Sequence, residues 1–193
     1  MSAQPQLIFL AGPNGAGKST FYDAHLDPLG YVFLNADNFK NESGVTDREA
    51  QSFMDGARQS YLESGQSFVT ETVFSDPHGA KLQFLREALG RGYEVHLIYI
   101  GLDSPAASDA RVVTRVLAGG HDVPADRIPR RYAQSLQNLK AALTFVPNVT
   151  VWDNSGRPEE RHIVLQVEQG KTVQRKKKLP DWLAKVLGRD YGR

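Results

Sequence analysis

Five short apolar runs recur along the chain, and segments with helical spacing separate them. The runs cover residues 7–10, 31–34, 67–70, 95–100 and 149–152. The first run is apolar at every position and leads into glycines, which is typical of a strand buried on both faces of a parallel sheet. Alternating strands and helices indicate βαβ units, so we expect an α/β fold with a parallel sheet flanked by helices.

The polar segments between the strands show helical periodicity. They predict helices over residues 19–25, 47–64, 78–89, 106–117 and 128–143. The second helix opens with Thr46-Asp47-Arg48-Glu49, which has the pattern of a capping box. Towards the end of the chain, Gln169-Gly170 separates two strand-like segments and predicts a hairpin, and residues 180–188 predict a short helix.

The composition fits one folded domain. The chain has 193 residues, 40% of them hydrophobic and 23% charged, and a formal net charge of +1. This balance gives no overall field that favours nucleic acid or a membrane surface. The absence of cysteine excludes disulfides, thiolate zinc sites and cysteine nucleophiles. The first apolar run is too short for a signal peptide, so we expect a cytoplasmic protein.

One segment carries a complete phosphate-binding motif. Residues 12–19 match G-x-x-x-x-G-K-[ST], between a predicted buried strand and a predicted helix. In such a loop, backbone N–H groups cradle phosphates, the lysine reaches the β- and γ-phosphates, and the serine hydroxyl ligates Mg²⁺. A tight glycine turn is the alternative, but a turn needs no Lys-Ser pair. We therefore expect ATP and Mg²⁺ to bind, with Ser19 as the metal ligand, at Gly12, Pro13, Asn14, Gly15, Ala16, Gly17, Lys18, Ser19 and Thr20.

The rest of the chain favours a small phosphotransferase among P-loop proteins. It has neither the Asn-Lys-x-Asp segment of GTPases nor the Leu-Ser-Gly-Gly signature of ABC ATPases. A kinase needs a base for the acceptor hydroxyl and cationic groups that cover the phosphates. Asp37 follows the second predicted strand, at the edge where ligands of parallel sheets bind, and is the candidate base. The alternative is that Asp37 only begins a turn or caps a helix.

Two further groups are candidates for substrate binding. Glu71 and Thr72 follow the third strand, where a carboxylate facing the active crevice binds substrate hydroxyls or a metal-bound water; the alternative is a solvent-facing residue of an edge strand. Arginines surround the turn-forming segment 118–124, which we interpret as a lid that closes over the nucleotide. The lid candidates are Arg111, Arg115, His121, Arg130 and Arg131, with Arg115 and Arg131 placed in the catalytic group.

These assignments divide the chain into two parts. We expect a P-loop kinase core over residues 1–155, with the lid at about 111–131. Residues 156–193 then hold the hairpin, a basic segment and the short helix, packed on the core or trailing it. The basic segment 175–178 contains no aromatic residues, so a solvated tail is the default interpretation and nucleic-acid binding is disfavoured.

Several of these segments together resemble the zeta-toxin family of P-loop kinases, in particular the short bacterial group formerly described as ABC-type ATPases. The matching segments lie at residues 12–20, 34–39, 69–72, 92–95, 111–115, 119–124, 130–132 and 151–155. The resemblance implies a nucleotide-kinase-like fold. It also implies transfer of the ATP γ-phosphate to the 3′-hydroxyl of a UDP-activated amino sugar, UDP-N-acetylglucosamine in characterised members, and a protein antitoxin as partner.

The resemblance also implies roles for individual residues. Lys18 and Ser19 bind ATP and Mg²⁺, Asp37 is the base, and Glu71 and Thr72 hold the sugar.

Arg115 contacts phosphate in this interpretation. His121 stands where the family has a second lid arginine, and Arg130 and Arg131 are the substitutes.

Two rival functions remain open from the sequence. The same base and lid suit a nucleoside or nucleic-acid 5′-hydroxyl kinase, which the basic segment 175–178 favours slightly. A nucleotide-dependent switch or ATPase would keep the P-loop but would not need Asp37 for turnover.

Overall fold

The structure is a computed structural model that describes residues 4–117, 125–157 and 160–188. A seven-stranded sheet lies at its centre. The strand order is β2-β3-β1-β4-β5-β6-β7. Its strands are β1 (Gln6–Ala11), β2 (Val32–Leu34), β3 (Phe68–Thr72), β4 (Glu94–Gly101), β5 (Asn148–Asp153), β6 (His162–Glu168) and β7 (Lys171–Arg175).

The first five strands are parallel, as the sequence predicts. Strand β1 is central, with Leu10 opposite Glu71 of β3 on one side and Ile98 of β4 on the other. The predicted hairpin is confirmed, and it joins the same sheet because β6 pairs antiparallel with β5. The carboxyl ends of the parallel strands therefore lie at one edge of the sheet, where the P-loop follows β1.

Seven α-helices are present among the described residues. They are α1 (Lys18–Phe21), α2 (Ala36–Ser43), α3 (Asp47–Ser64), α4 (Ala80–Gly90), α5 (Pro105–Leu117), α6 (Ile128–Ala142) and α7 (Asp181–Leu187). A π-helical turn, Tyr22–Leu26, and a 3-10 turn, Asp27–Leu29, follow α1, and a further 3-10 turn, Ala125–Arg127, leads into α6.

Most of these helices are confirmed within a few residues of their predicted bounds. The capping box of α3 is present, with Glu49 and Thr46 bonded in both directions. Helix α4 begins two residues later than predicted, after Gly79. Helix α2 was not predicted, because it has no buried residue and so no apolar periodicity to reveal it.

The two faces of the sheet bury separate apolar clusters. Alternate side chains of β1 enter opposite clusters: Leu7 and Phe9 face α3, α4, α6 and α7, whereas Ile8 and Leu10 face the segment around Phe21. The apolar face of α7 belongs to the larger cluster, where the ring of Trp182 lies so close to Gly101 that a Cβ there would be 2.2 Å away. Both ends of the chain thus contribute to one core.

Within residues 4–117, 125–157 and 160–188, no helix combines the length and apolar character that crossing a bilayer requires.

Candidate active site

The P-loop follows β1 and is shaped by three glycines with positive φ angles. At Gly12, where φ is 146°, a Cβ would lie 2.2 Å from the carbonyl oxygen of Ile100. At Gly17, where φ is 84°, a Cβ would lie 2.9 Å from Nδ2 of Asn154. Only glycine fits both the dihedral angles and the space. The loop is therefore fixed by β4 and by the loop after β5, and not by its own sequence alone.

Lys18 lies over this loop instead of pointing into solvent. Its Nζ donates to the carbonyl oxygen of Pro13 at 3.2 Å and lies 3.6 Å from Oε1 of Glu71. The Lys18 side chain is only 7% exposed. A desolvated ammonium at the start of α1 presents a strong local positive charge, which suits the β- and γ-phosphates of a nucleotide.

Glu71 lies at the point where the P-loop meets the rest of the site. Its Oε2 accepts hydrogen bonds from Ser19 Oγ at 3.3 Å and from Asn35 Nδ2 at 3.0 Å. Its strand, β3, is paired on both sides, so the edge-strand alternative for Glu71 is wrong. The carboxylate is thus held beside Lys18 and Ser19.

Asp37 lies in the first turn of α2, immediately beyond the end of β2. The helix cap is Asn35, whose Oδ1 accepts from the backbone N–H groups of Asp37 at 2.8 Å and Asn38 at 3.2 Å. The carboxylate of Asp37 is therefore not needed as the cap, and Asp37 is exposed and lines a cavity. The Asp37 side chain is therefore accessible to a ligand bound in that cavity.

The cavity beside Asp37 has a volume of about 670 Å³. Its walls come from the P-loop, α2, α3, the loop between β3 and α4, the 3-10 turn Ala125–Arg127 and α6. We call it the acceptor cavity, and it brings together six residues that the sequence predicted for the site. These are Asn14, Asp37, Glu71, Thr72, Arg130 and Arg131.

The remaining lid candidates are placed differently. Arg111, on α5, lies outside the acceptor cavity and lines a second, smaller pocket. Arg115 lies on the same helix, but its side chain is outside the described part of the chain, and His121 is outside the described residues altogether.

Beneath the acceptor cavity lies a charged group that the sequence analysis missed. Arg58 is 2% exposed and donates to Thr70 Oγ1 at 2.6 Å, to Asp55 Oδ1 at 2.6 Å and to the carbonyl oxygen of Glu71 at 3.3 Å. Lys81 forms an ion pair with the same Asp55. Desolvation lowers the pKa of Arg58 and of Lys81, and the nearby Arg58 charge adds to the effect on Lys81.

A signal for Arg58 was present in the sequence. It occupies the buried face of α3, at helical spacing from Ala50, Met54 and Leu62. A guanidinium on an apolar helix face must find partners in the interior, and here it holds the carboxyl end of β3 in place.

Helix α6 is tied to the loop between β3 and α4. Asn138 Nδ2 donates to the carbonyl oxygens of Phe74 at 2.9 Å and Asp76 at 3.1 Å. Phe74 is fully buried and has a φ angle of 61°, a strained conformation that these contacts stabilise. The loop and the helix are therefore joined in one wall of the acceptor cavity.

A second contact anchors the beginning of α6. Tyr132 donates its hydroxyl hydrogen to the carbonyl oxygen of Leu102 at 2.7 Å. Burial, with a smaller contribution from two nearby carboxylates, raises the pKa of Tyr132 to about 12, so the phenol remains a donor near neutral pH. Helix α6 is thereby held at the end of β4, with Arg130 and Arg131 on the cavity side.

A smaller pocket, of about 290 Å³, lies along the P-loop and shares no lining residue with the acceptor cavity. Its lining consists of Gly15, Gly17, Thr20, Arg111, Asn154 and Arg161. Asn154 Nδ2 donates to the carbonyl oxygen of Ala16 at 2.8 Å. Arg111 donates to the carbonyl oxygen of Gly156 at 2.9 Å, and the Arg161 guanidinium lies 5.2 Å from the ring centroid of Phe21.

The oxygen donors beside the P-loop fit a magnesium ion. Ser19 Oγ and the Glu71 carboxylate are hard ligands 3.3 Å apart. Among the described residues, no group of three or more His, Asp or Glu side chains forms a metal cage. Mg²⁺ in kinases is held by one or two protein oxygens together with substrate phosphates, so this donor set is sufficient.

Comparison with known proteins agrees with this geometry. The zeta toxin family model matches residues 1–159. The chain belongs to the zeta toxin family. A protein of Haemophilus influenzae is 28% identical over 134 residues, which are 67% of this chain and 94% of that protein.

Two solved structures have a similar fold. A chain of the AvrRxo1-ORF1:-ORF2 complex with ATP has a TM-score of 0.68 at 19% identity, and the match covers 89% of this chain and 60% of that one. The PezAT toxin–antitoxin system of Streptococcus pneumoniae has a TM-score of 0.60 at 18% identity, with 79% and 69% covered. This zeta toxin family member therefore spans about 60% of the length of its AvrRxo1 neighbour.

The predicted fold class is thus confirmed: the chain is a P-loop kinase-like α/β protein. Membership of the zeta toxin family supports ATP binding and ATP-dependent phosphotransfer.

Proposed function

We propose that the protein is a kinase that transfers the γ-phosphate of ATP to a hydroxyl of a UDP-activated amino sugar, such as UDP-N-acetylglucosamine. The observation that carries the proposal is the position of the acceptor cavity. It opens beside the P-loop, where Glu71 lies 3.6 Å from Lys18 and where Asp37 lines the wall.

The P-loop binds the donor. Its backbone amides and the ammonium of Lys18 bind the β- and γ-phosphates, and Thr20 is the last residue of this binding segment. Ser19 and Glu71 would hold Mg²⁺, which would supply positive charge beside the phosphates. Lys18 and Ser19, which contact Glu71 in this structure, must then also contact the incoming nucleotide.

Asp37 is the base. Its carboxylate accepts the proton of the acceptor hydroxyl as that oxygen forms a bond to the γ-phosphorus, and the bond to the β-phosphate oxygen breaks to release ADP. Glu71 and Thr72 orient the acceptor. Arg115, Arg130 and Arg131 stabilise phosphate charge, with Arg131 acting from the cavity wall.

The acceptor cavity has features that suit a nucleotide sugar. Its arginines, Arg127, Arg130 and Arg131, lie on the 3-10 turn and on α6 and provide partners for a diphosphate. The carboxylate of Asp37, on another wall of the cavity, provides a partner for sugar hydroxyls. A volume of about 670 Å³ lies within the range of small-molecule sites.

A protein antitoxin is the proposed partner. The support is family membership together with the PezAT neighbour, which is described as a toxin–antitoxin system. Co-purification with proteins from a source strain tests this point.

The deciding experiment is mass spectrometry of products after incubation with Mg-ATP and a panel of UDP-sugars, nucleosides and oligonucleotides. We expect a UDP-amino sugar to gain one phosphate. Asp37→Asn should lower turnover by about 10²- to 10⁴-fold while ATP affinity stays unchanged, because a general base contributes that much to the rate. Asp23→Asn, an exposed aspartate outside the cavity, is the control.

Two other outcomes would contradict the proposal. Phosphorylation of nucleosides or oligonucleotides alone would favour the 5′-hydroxyl kinase, and ATP hydrolysis that does not depend on Asp37 would favour the switch or ATPase.

A further inference from the structure

The smaller pocket beside the P-loop receives no assignment from the phosphate chemistry described above. In the proposed function, the γ-phosphate end of ATP faces Lys18 and the acceptor cavity. The nucleobase must therefore lie on another side of the P-loop. The smaller pocket, at Gly15, Gly17 and Thr20, lies along the loop and shares no lining residue with the acceptor cavity. The inference that follows rests on the proposed function.

Two arginines belong to this pocket, and they come from different parts of the chain. Arg111 lies on α5, and its Nη2 donates a hydrogen bond to the carbonyl oxygen of Gly156. Arg161 lies immediately before β6. Neither guanidinium forms an ion pair with a carboxylate within the described residues, and no carboxylate lines the pocket.

The Arg161 guanidinium lies over an aromatic ring and not beside a carboxylate. Its guanidinium lies 5.2 Å from the ring centroid of Phe21, and that ring packs against His25 at 4.6 Å and Trp152 at 5.4 Å. Burial lowers the pKa of Arg161. A guanidinium supported in this way loses little additional hydration when a ring covers its face.

These observations indicate that the smaller pocket holds the nucleobase. We propose that Arg161 binds the nucleobase of ATP by stacking its planar guanidinium on the ring, with Arg111 as a second wall of the same pocket. A guanidinium stacks on aromatic rings through cation–π and planar contact, and this contact does not read hydrogen-bonding groups. ATP and GTP should therefore depend on Arg161 to the same extent.

Arg161 lies just beyond residue 159, where the family match ends. The role of Arg161 therefore does not follow from the family match, and sequence reasoning gave no signal for it.

The test compares two probes, Mg-ATP and magnesium tripolyphosphate, the second of which has phosphates but no base. Binding is measured by calorimetry on the full-length chain. Arg161→Ala should raise the Kd for ATP about five- to twentyfold and leave the Kd for tripolyphosphate within about twofold, since only the stacking contact is lost. Arg157→Ala removes the same charge at an exposed residue outside the pocket and should leave both values unchanged.

A lysine variant separates stacking from charge. Arg161→Lys keeps the positive charge but lacks the planar group, so ATP binding should remain weak. Full recovery in Arg161→Lys, equal losses for ATP and tripolyphosphate in Arg161→Ala, or no difference between Arg161→Ala and Arg157→Ala would each overturn the inference.

The proposed function fails in a different way. If the wild-type protein binds neither probe and Lys18→Ala changes nothing, both the proposed function and the role of Arg161 are wrong. If the wild type binds both probes, Lys18→Ala weakens the binding of both, and the Arg161 variants behave as wild type, the inference alone is wrong.

Discussion

The P-loop and the wall of the acceptor cavity meet at Glu71 but are built differently. The P-loop is one continuous segment whose glycines fit against the backbone of β4 and the side chain of Asn154. The cavity wall comes from α2, α3, the loop after β3 and α6, which are distant in sequence and joined by side-chain contacts such as those of Arg58 and Asn138. In the proposed function, one segment, held in place by β4 and Asn154, therefore binds the donor phosphates, whereas acceptor choice depends on several segments.

Among the variants that test this comparison, the one with the largest expected effect is on the donor side. Lys18→Ala should lower kcat by about 10²- to 10³-fold, because it removes one preorganised cation from the phosphates. The variant leaves Glu71 without its ammonium partner but with Ser19 and Asn35 as donors, so the protein should remain folded. Single-turnover kinetics measure the rate, and circular dichroism checks the fold. A variant with wild-type turnover would show that the P-loop does not carry the chemistry.

The next effect tests the acceptor side. Arg131→Ala should lower kcat/KM for the acceptor by about tenfold or more, since a hydrogen bond to a charged group contributes about 1.5–3 kcal/mol. The KM for ATP should stay unchanged, because Arg131 lines the acceptor cavity and not the smaller pocket.

Arg48→Ala is the matched control, since Arg48 is exposed on α3 and does not line the cavity. An equal rise in both KM values for Arg131→Ala would mean that the two regions are not separate.

The smallest effect concerns backbone fit. Gly17 and Gly79 both precede a helix with positive φ angles, 84° and 73°, so an alanine strains either one by about 1–2 kcal/mol. Only Gly17 has a neighbour in the way, at 2.9 Å, whereas Gly79 has none within 4 Å.

Gly17→Ala should therefore destabilise more than Gly79→Ala, by about 1 kcal/mol or more, and should also weaken nucleotide binding. Urea unfolding measures the first difference. Equal losses of stability would show that the contact with Asn154 does not constrain the P-loop.

The contrast between the two regions also explains what the sequence revealed. The five parallel strands and the longer helices were predictable because burial leaves a regular apolar pattern, and the P-loop was predictable because its function requires consecutive residues. Helix α2 was missed because none of its residues is fully buried. The bond from Asn138 to Phe74 was not predictable, because it joins residues 64 positions apart that only the folded chain brings together.

The site residues follow the same division. Sequence reasoning placed Asp37 and Glu71 at the ends of strands, and parallel strands end at one edge of the sheet. Arg58 was passed over because a charged residue on a helix is usually solvated, although its place on an apolar face was visible.

The position of Trp182 has a practical consequence for truncated forms of the protein. The family match ends at residue 159, yet the core continues through β6 to the apolar face of α7. Trp182 packs against Gly101 and donates its indole N–H to Asp153 at 3.0 Å, next to the loop that holds Asn154. Shortening the chain to residues 1–159 would therefore expose apolar side chains of the larger cluster and remove the hydrogen bond to Asp153, next to Asn154. The segment that the family model matches is shorter than the segment that forms the core.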